Sequence, residues 1–113
     1  MKSKIVALSK NKEFKILLNQ RKVSNKYVTI FFGRLNNKDK TKLNISFVTK
    51  KKIGNAVKRN KIKRRLKNII NEAVKNISIN NRYSFLVIAK PSMINNEYKD
   101  IKETLFQDLE KIK

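Results

Sequence analysis

Histidine and cysteine are both absent from this 113-residue chain. That excludes a Ser-His-Asp triad, a thiolate nucleophile, a disulfide and a conventional zinc site. Acidic residues are scarce, eight against 29 Lys and Arg, and the net charge is +21. The eight are Glu13, Asp39, Glu72, Glu97, Asp100, Glu103, Asp108 and Glu110, and five of them fall in the last 17 residues. A two-metal nuclease site needs several clustered carboxylates, which this spacing does not promise. No catalytic and no metal-ligating residue is therefore assigned. If the chain takes part in catalysis, something else supplies the reactive groups.

Long apolar runs are missing too. Met1 to Leu8 holds two lysines and only a four-residue apolar run, Ile5 to Leu8. That is too short for the core of a signal peptide. No segment approaches the roughly 18 apolar residues of a membrane span. The expectation is a soluble cytoplasmic protein with no membrane partner.

What is present is enough for one core. Ile, Val, Leu and Phe make up 36 of the 113 residues, well above the roughly 20% below which highly charged chains stay disordered. A single domain over residues 1–113 follows from the length.

The apolar spacing gives the elements. Asn11 offers an N-cap for a helix over about 12–19, with Phe14, Leu17 and Leu18 as its stripe. Lys22 to Asn25 reads as a polar connection. Tyr27 to Arg34 is β-branched and aromatic, a strand. Asn36 to Lys42 reads as a turn, and Leu43 to Thr49 as a second strand with Leu43, Ile45 and Phe47 on one face. The two strands read as an antiparallel hairpin. Lys50 to Asn55 is a basic loop containing Gly54.

From Ala56 to Asn76 runs the longest helical pattern, with Ile62, Leu66, Ile69, Ile70, Ala73 and Ile77 on one side. Tyr83 to Ala89 reads as a central strand ended by Pro91. Asn95 or Asn96 offers a cap for a last helix to about Ile112, striped by Tyr98, Ile101, Leu105, Leu109 and Ile112. The residues alone give the order α-β-β-α-β-α, an α+β sandwich of helices packed on a sheet.

The charge is not spread evenly. Between Asp39 and Glu72 there is no acid and there are twelve basic residues, whereas residues 97–113 hold five acids and four bases. A codon-driven excess of lysine would not concentrate Arg59, Arg64 and Arg65 in one seven-residue window. On a wheel with Ile62 at 0°, Lys63, Lys67, Asn60 and Arg64 fall at about 100°, 140°, 160° and 200°. They share one outward stripe, while Arg59, at about 60°, borders the apolar face. Gly54 and Asn55 precede the helix, so free amides and the positive dipole end face the same basic loop. One face is built for a polyanion. Phe14, Tyr27, Phe31, Phe32 and Phe47 all lie in the N-terminal half, where exposed rings beside cations would stack bases of single-stranded nucleic acid.

The run Lys51 to Lys67, K-K-I-G-N-A-V-K-R-N-K-I-K-R-R-L-K, resembles the signature of the bacterial ribonuclease P protein subunit. Lys51, Lys52, Gly54, Ala56, Val57, Arg59, Asn60, Lys63 and Arg64 match it. Lys61 and Lys67 stand where the family has arginine, and Leu18 where it often has a second aromatic. Lys10 to Phe14 resembles the family's opening helix and Ile88 to Pro91 its final strand end.

The resemblance implies an α-β-β-β-α-β-α fold with a mostly antiparallel sheet and an unusual left-handed β-α-β crossover. It implies that the catalytic RNA is bound through Lys51, Lys52, Asn55, Arg59, Asn60, Lys61, Lys63, Arg64 and Lys67. It implies a cleft for the 5′ leader of precursor tRNA, lined by Lys10, Lys12, Phe14 and a first-strand aromatic, Tyr27 or Phe32. The RNA and its Mg²⁺ ions would do the chemistry, with none of the Mg²⁺ held by the protein alone and no protein partner required. Two other readings are a ribosomal-type structural RNA binder and a stand-alone small ribonuclease.

Overall fold

The computed structural model describes residues 5–36 and 38–112. Met1 to Lys4 of the N-terminal segment and Asn37 of the expected turn lie outside them, as does Lys113.

The strand Ser84–Ala89 (β5) is apolar on both faces, and five of its six residues are buried. Such a strand buries most surface at the centre of a sheet. It lies there: strand order is β1-β4-β5-β3-β2, with β1 Ile5–Val6, β2 Arg21–Ser24, β3 Val28–Gly33 and β4 Leu43–Val48. Phe85, Val87 and Ala89 point to the main core, and Leu86 to a smaller cluster on the other face.

This arrangement overturns the expected hairpin of β3 and β4. Both strands pair with β5 instead, β3 antiparallel (Phe32 opposite Phe85) and β4 parallel (Phe47 opposite Val87). The hairpin is formed by β2 and β3, antiparallel with Arg21 opposite Phe32. Its turn is closed by Asn25, whose Oδ1 accepts the N–H groups of Tyr27 and Val28 at 2.7 and 2.9 Å. The supposed polar connection is thus an edge strand, which needs only Val23 to face the core. The sheet is mixed, not mostly antiparallel. A helix joins β4 to β5 and returns the chain in the same direction, and β1 also runs parallel to β4.

Three helices cover the sheet: α1 Lys12–Leu18, α2 Ala56–Asn76 and α3 Tyr98–Lys111. From α1 onward the order is α-β-β-β-α-β-α. In α2 the expected stripe is buried at Ile62, Leu66, Ile69, Ile70 and Ala73, with Ile77 half-buried just past its end. With α3 it covers one face of the sheet, while α1 packs on the other through Leu17.

Two expected caps do not form. Asn11 is already helical in backbone and makes no capping bond. Glu13 serves that end of the helix instead, its Oε1 accepting the Ser9 N–H at 2.7 Å. The last helix is preceded by Glu97, and the Asn96 amide donates to the Ser92 carbonyl at 2.5 Å. Pro91 opens a 3-10 turn, Pro91–Met93, directly after β5.

Candidate nucleic-acid interface

The basic loop is a 3-10 turn, Lys51–Ile53, pinned by the buried Ile53 while Lys51 and Lys52 stay exposed. Gly54 follows at φ +157°, where a Cβ would strike Lys58 Cδ at 2.9 Å. Only glycine makes that bend cheaply. Asn55 then caps α2, its Oδ1 accepting the Lys58 N–H at 3.0 Å.

Beyond the cap, Asn60, Lys61, Lys63, Arg64 and Lys67 are all exposed. None of these cations is in an ion pair among the described residues. Val57, 76% exposed, borders a shallow depression of about 520 Å³ with Asn60, Lys63 and Arg64. Arg59 is half-buried, and its Nε is buried without a hydrogen-bond partner. An arginine whose stem is covered can still present its outer guanidinium nitrogens to a ligand. Arg65 has a structural role. Its Nη1 donates to the carbonyls of Met93 and Asn96 at 3.3 and 3.2 Å, tying α2 to the segment before α3.

A second surface adjoins the first. β1 stops at Val6, opposite Asn44, so β4 beyond that point has no strand on its outer edge. Leu8 turns its N–H onto Ser46 Oγ at 2.8 Å. The space left is a cleft of about 570 Å³ with an apolar lining that includes Leu8, Phe14, Phe47 and Val48. Three ammonium-bearing residues line it too: Lys10 from one side, Lys63 and Lys67 from α2 on the other. Lys63 belongs to both the cleft and the depression. Glu13 is the neighbouring acid. Burial raises its pKa, but the bond from Lys38 at 2.5 Å and the Ser9 amide outweigh this and lower it overall. Its charge is engaged with Lys38.

Lys10 and Phe14 line this cleft together with Lys63 and Lys67 of α2. Lys12 is exposed on α1 but does not line the cleft. The two first-strand aromatics are corrected. Tyr27 and Phe32, 5% and 3% exposed, lie in the main core on the sheet face away from α1. Phe31 is the first-strand ring on the α1 face, half-buried in the same cluster as Phe14, with Lys22 Nζ 5.9 Å from its centroid. Strand parity decides this, since Phe31 and Phe32 must face opposite ways. Phe47, read as a core-facing residue, also lines the cleft because β4 overhangs there.

Among the described residues, no three His, Cys, Asp or Glu side chains come together as a metal site. No helix is long and apolar enough to cross a membrane.

The family model described as Ribonuclease P matches residues 3–113. The ribonuclease P protein component of Carboxydothermus hydrogenoformans is 36% identical over 102 residues, covering 87% of this chain and 83% of that protein. That of Mycoplasma mycoides subsp. mycoides is 30% identical over the whole of both chains. Among solved structures, the RNase P protein from Thermotoga maritima shares the fold, with a TM-score of 0.81 at 22% identity over 96% of this chain and 98% of that one. The glycine bend, the capped basic helix and the cleft beside it therefore sit in a chain matched over its full length, and that chain belongs to the ribonuclease P protein family.

Proposed function

We propose that this protein is the RNA-binding subunit of ribonuclease P, acting in the cytoplasm on the 5′ leader of precursor tRNA. The basic loop and the outward stripe of α2 bind the ribonuclease P RNA. Lys51, Lys52, Arg59, Lys61, Lys63, Arg64 and Lys67 meet phosphates, and Asn55 and Asn60 add amide hydrogen bonds. The leader enters the cleft, where Phe14 and Phe47 offer ring surface to unpaired bases and Lys10, Lys63 and Lys67 meet their phosphates.

The observation that carries this reading is the shared wall. Lys63 lines both surfaces, so an RNA held on the helix stripe lies directly beside a strand held in the cleft. The protein orients the scissile region against the RNA and contributes no reacting group. Among the described residues no carboxylates cluster to hold Mg²⁺, and the ions are held by the RNA. When bound there, Mg²⁺ supplies an activated water and charge neutralisation. No protein partner is required.

The test is reconstitution. Purified protein alone, ribonuclease P RNA alone and the two together are each given precursor tRNA at low Mg²⁺. Cleavage at the mature 5′ end only when the RNA is present, accelerated by the protein, is the expected result. Turnover by RNA-free protein that persists through further purification would overturn it. Binding to the RNA without any effect on cleavage would favour a purely structural RNA binder.

A further inference from the structure

The chain has 23 Lys and 6 Arg. Three arginines, Arg59, Arg64 and Arg65, sit in the signature helix. The other three, Arg21, Arg34 and Arg82, come from separate elements and are brought to one end of the sheet. Arg21 Cζ lies 5.0 Å from the Phe32 ring centroid. Phe32 packs edge-on to Tyr83, centroids 5.4 Å apart at 69°. Arg34 Cζ lies 6.0 Å from the Tyr83 centroid. Arg82 directly precedes Tyr83. A row of guanidinium, ring, ring and guanidinium results, and all three arginines are exposed.

No carboxylate pairs with any of the three among the described residues. Glu110 is the nearby acid, lining a depression with Asn80, and Asn80 Oδ1 accepts the Arg82 N–H at 3.0 Å. Glu110 is in no ion pair among the described residues. A guanidinium drawn to a ring keeps its N–H fork available, and that fork suits a phosphate. A merely solvated cation in this lysine-rich chain would need neither the ring nor the arginine.

The location matters. β4 runs parallel to β5, so the signature loop and the cleft lie at the Val48 and Ile88 end of the sheet. The arginines lie at the Ser84 end. Ser84 and Ile88 are about 13 Å apart along the strand, at about 3.3 Å per residue. The arginine row and the signature loop are therefore separate surfaces at opposite ends of the sheet, able to hold different phosphates at the same time.

We infer that Arg21, Arg34 and Arg82, two of them set over the rings of Phe32 and Tyr83, form a second phosphate-binding surface that grips a separate segment of the ribonuclease P RNA. The inference rests on the proposed RNA partner. That RNA is the assigned occupant because it is the standing partner that family membership implies, and because a cationic row with no carboxylate paired to it among the described residues fits a polyanion.

The experiment compares wild type with the triple variant Arg21→Gln, Arg34→Gln, Arg82→Gln and the single variant Arg82→Gln, which leaves the pair over the rings intact. Affinity for ribonuclease P RNA is measured against salt, with circular dichroism and melting temperature as folding controls. Three lost phosphate contacts should make the log–log slope shallower by about 2–3 and lower affinity on the order of 100-fold at 0.1 M salt. Arg82→Gln alone should make it shallower by about 0.7–0.9. Hydroxyl-radical footprinting should show the triple variant losing protection in an RNA segment distinct from the one lost by Lys63→Ala, Arg64→Ala.

Unchanged slope and affinity in the folded variants would overturn the inference, as would loss of one common footprint. Unchanged binding to ribonuclease P RNA with weakened holoenzyme affinity for mature tRNA would move the contact to the substrate and overturn it too. Failure of the wild-type protein to bind the RNA at all would instead refute the function proposed above.

Discussion

Replacing Phe14 separates leader recognition from packing. The ring is half-buried. It rests on the α1-side cluster of Leu8, Leu17 and Leu86 while lining the cleft. Truncating a fully buried Phe to Ala costs about 3–5 kcal/mol, so the half-buried ring stands to lose about 2 kcal/mol of fold stability. Phe14→Leu avoids most of that cost. It keeps the apolar contact with the cluster and removes only the flat face available to a base.

Base stacking on an aromatic is worth roughly 1–3 kcal/mol, or about 5- to 150-fold in affinity. The low end is expected here. One side of the ring is occupied by the cluster, and Leu18, where the resemblance calls for a second aromatic, is 46% exposed and outside the cleft lining. Phe14→Leu in the reconstituted holoenzyme should therefore weaken precursor tRNA binding about 5- to 10-fold. Mature tRNA, which has no leader, should change by less than about twofold. Equal losses for the two substrates would show that the ring is structural only. An unchanged precursor affinity in the folded variant would show that the leader lies elsewhere.

The remaining expectations are shorter. Neutralising about 5–8 phosphates should give wild-type RNA affinity a log–log salt slope of order −4 to −7, and titration from low to moderate salt checks it. Arg64→Ala should weaken ribonuclease P RNA binding by about 1–3 kcal/mol without discriminating between substrates. Lys67→Ala, on the cleft wall, should weaken precursor more than mature tRNA, and Lys63→Ala should do both. Arg65→Ala should instead lower the melting temperature, at a cost of about 1–2 kcal/mol for its two carbonyl bonds, and leave affinity of the folded protein nearly unchanged. Burial and the bond from its hydroxyl to Glu72 at 3.0 Å push Tyr98 up to about 12 from 10.0. The unfolded phenol ionises first, so this contribution to stability is complete below pH 10 and is lost as pH rises through about 12. Melting of wild type and Tyr98→Phe across that window should converge at the top.

Local pattern revealed what local physics decides. The 3.6-residue period of Ile62, Leu66, Ile69, Ile70 and Ala73 marks α2, and Asn55 caps it because its side chain reaches its own helix. The signature cations were visible for the same reason, since an exposed helix face is written in the sequence. Strand partners were not. β3 and β4 are neighbours in sequence, and nothing local says that β5, more than thirty residues later, separates them. β2 was hidden because an edge strand with one core contact carries almost no apolar signal. The wrong first-strand aromatics follow from the same gap. Alternation says Phe31 and Phe32 oppose each other, but which face holds α1 is settled only by the tertiary fold. Arg65 was likewise opaque, because its partners are backbone carbonyls about 30 residues away.

The strand order that escaped prediction is also what makes the site. Had β3 and β4 paired as a hairpin, β4 would be covered on that side and the start of α2 would have no open strand beside it. With β5 between them, β4 is next to outermost and, among the described residues, only the two residues of β1 pair with its outer edge. Its overhanging end at Phe47 and Val48 then shares the cleft with Lys63 and Lys67, because the chain leaving β4 becomes the signature loop and turns back as α2. The basic helix and the cleft are contiguous for a topological reason: the same crossover that reverses the chain delivers both. The sheet's other end, freed from that duty, is where the arginines set over the rings lie.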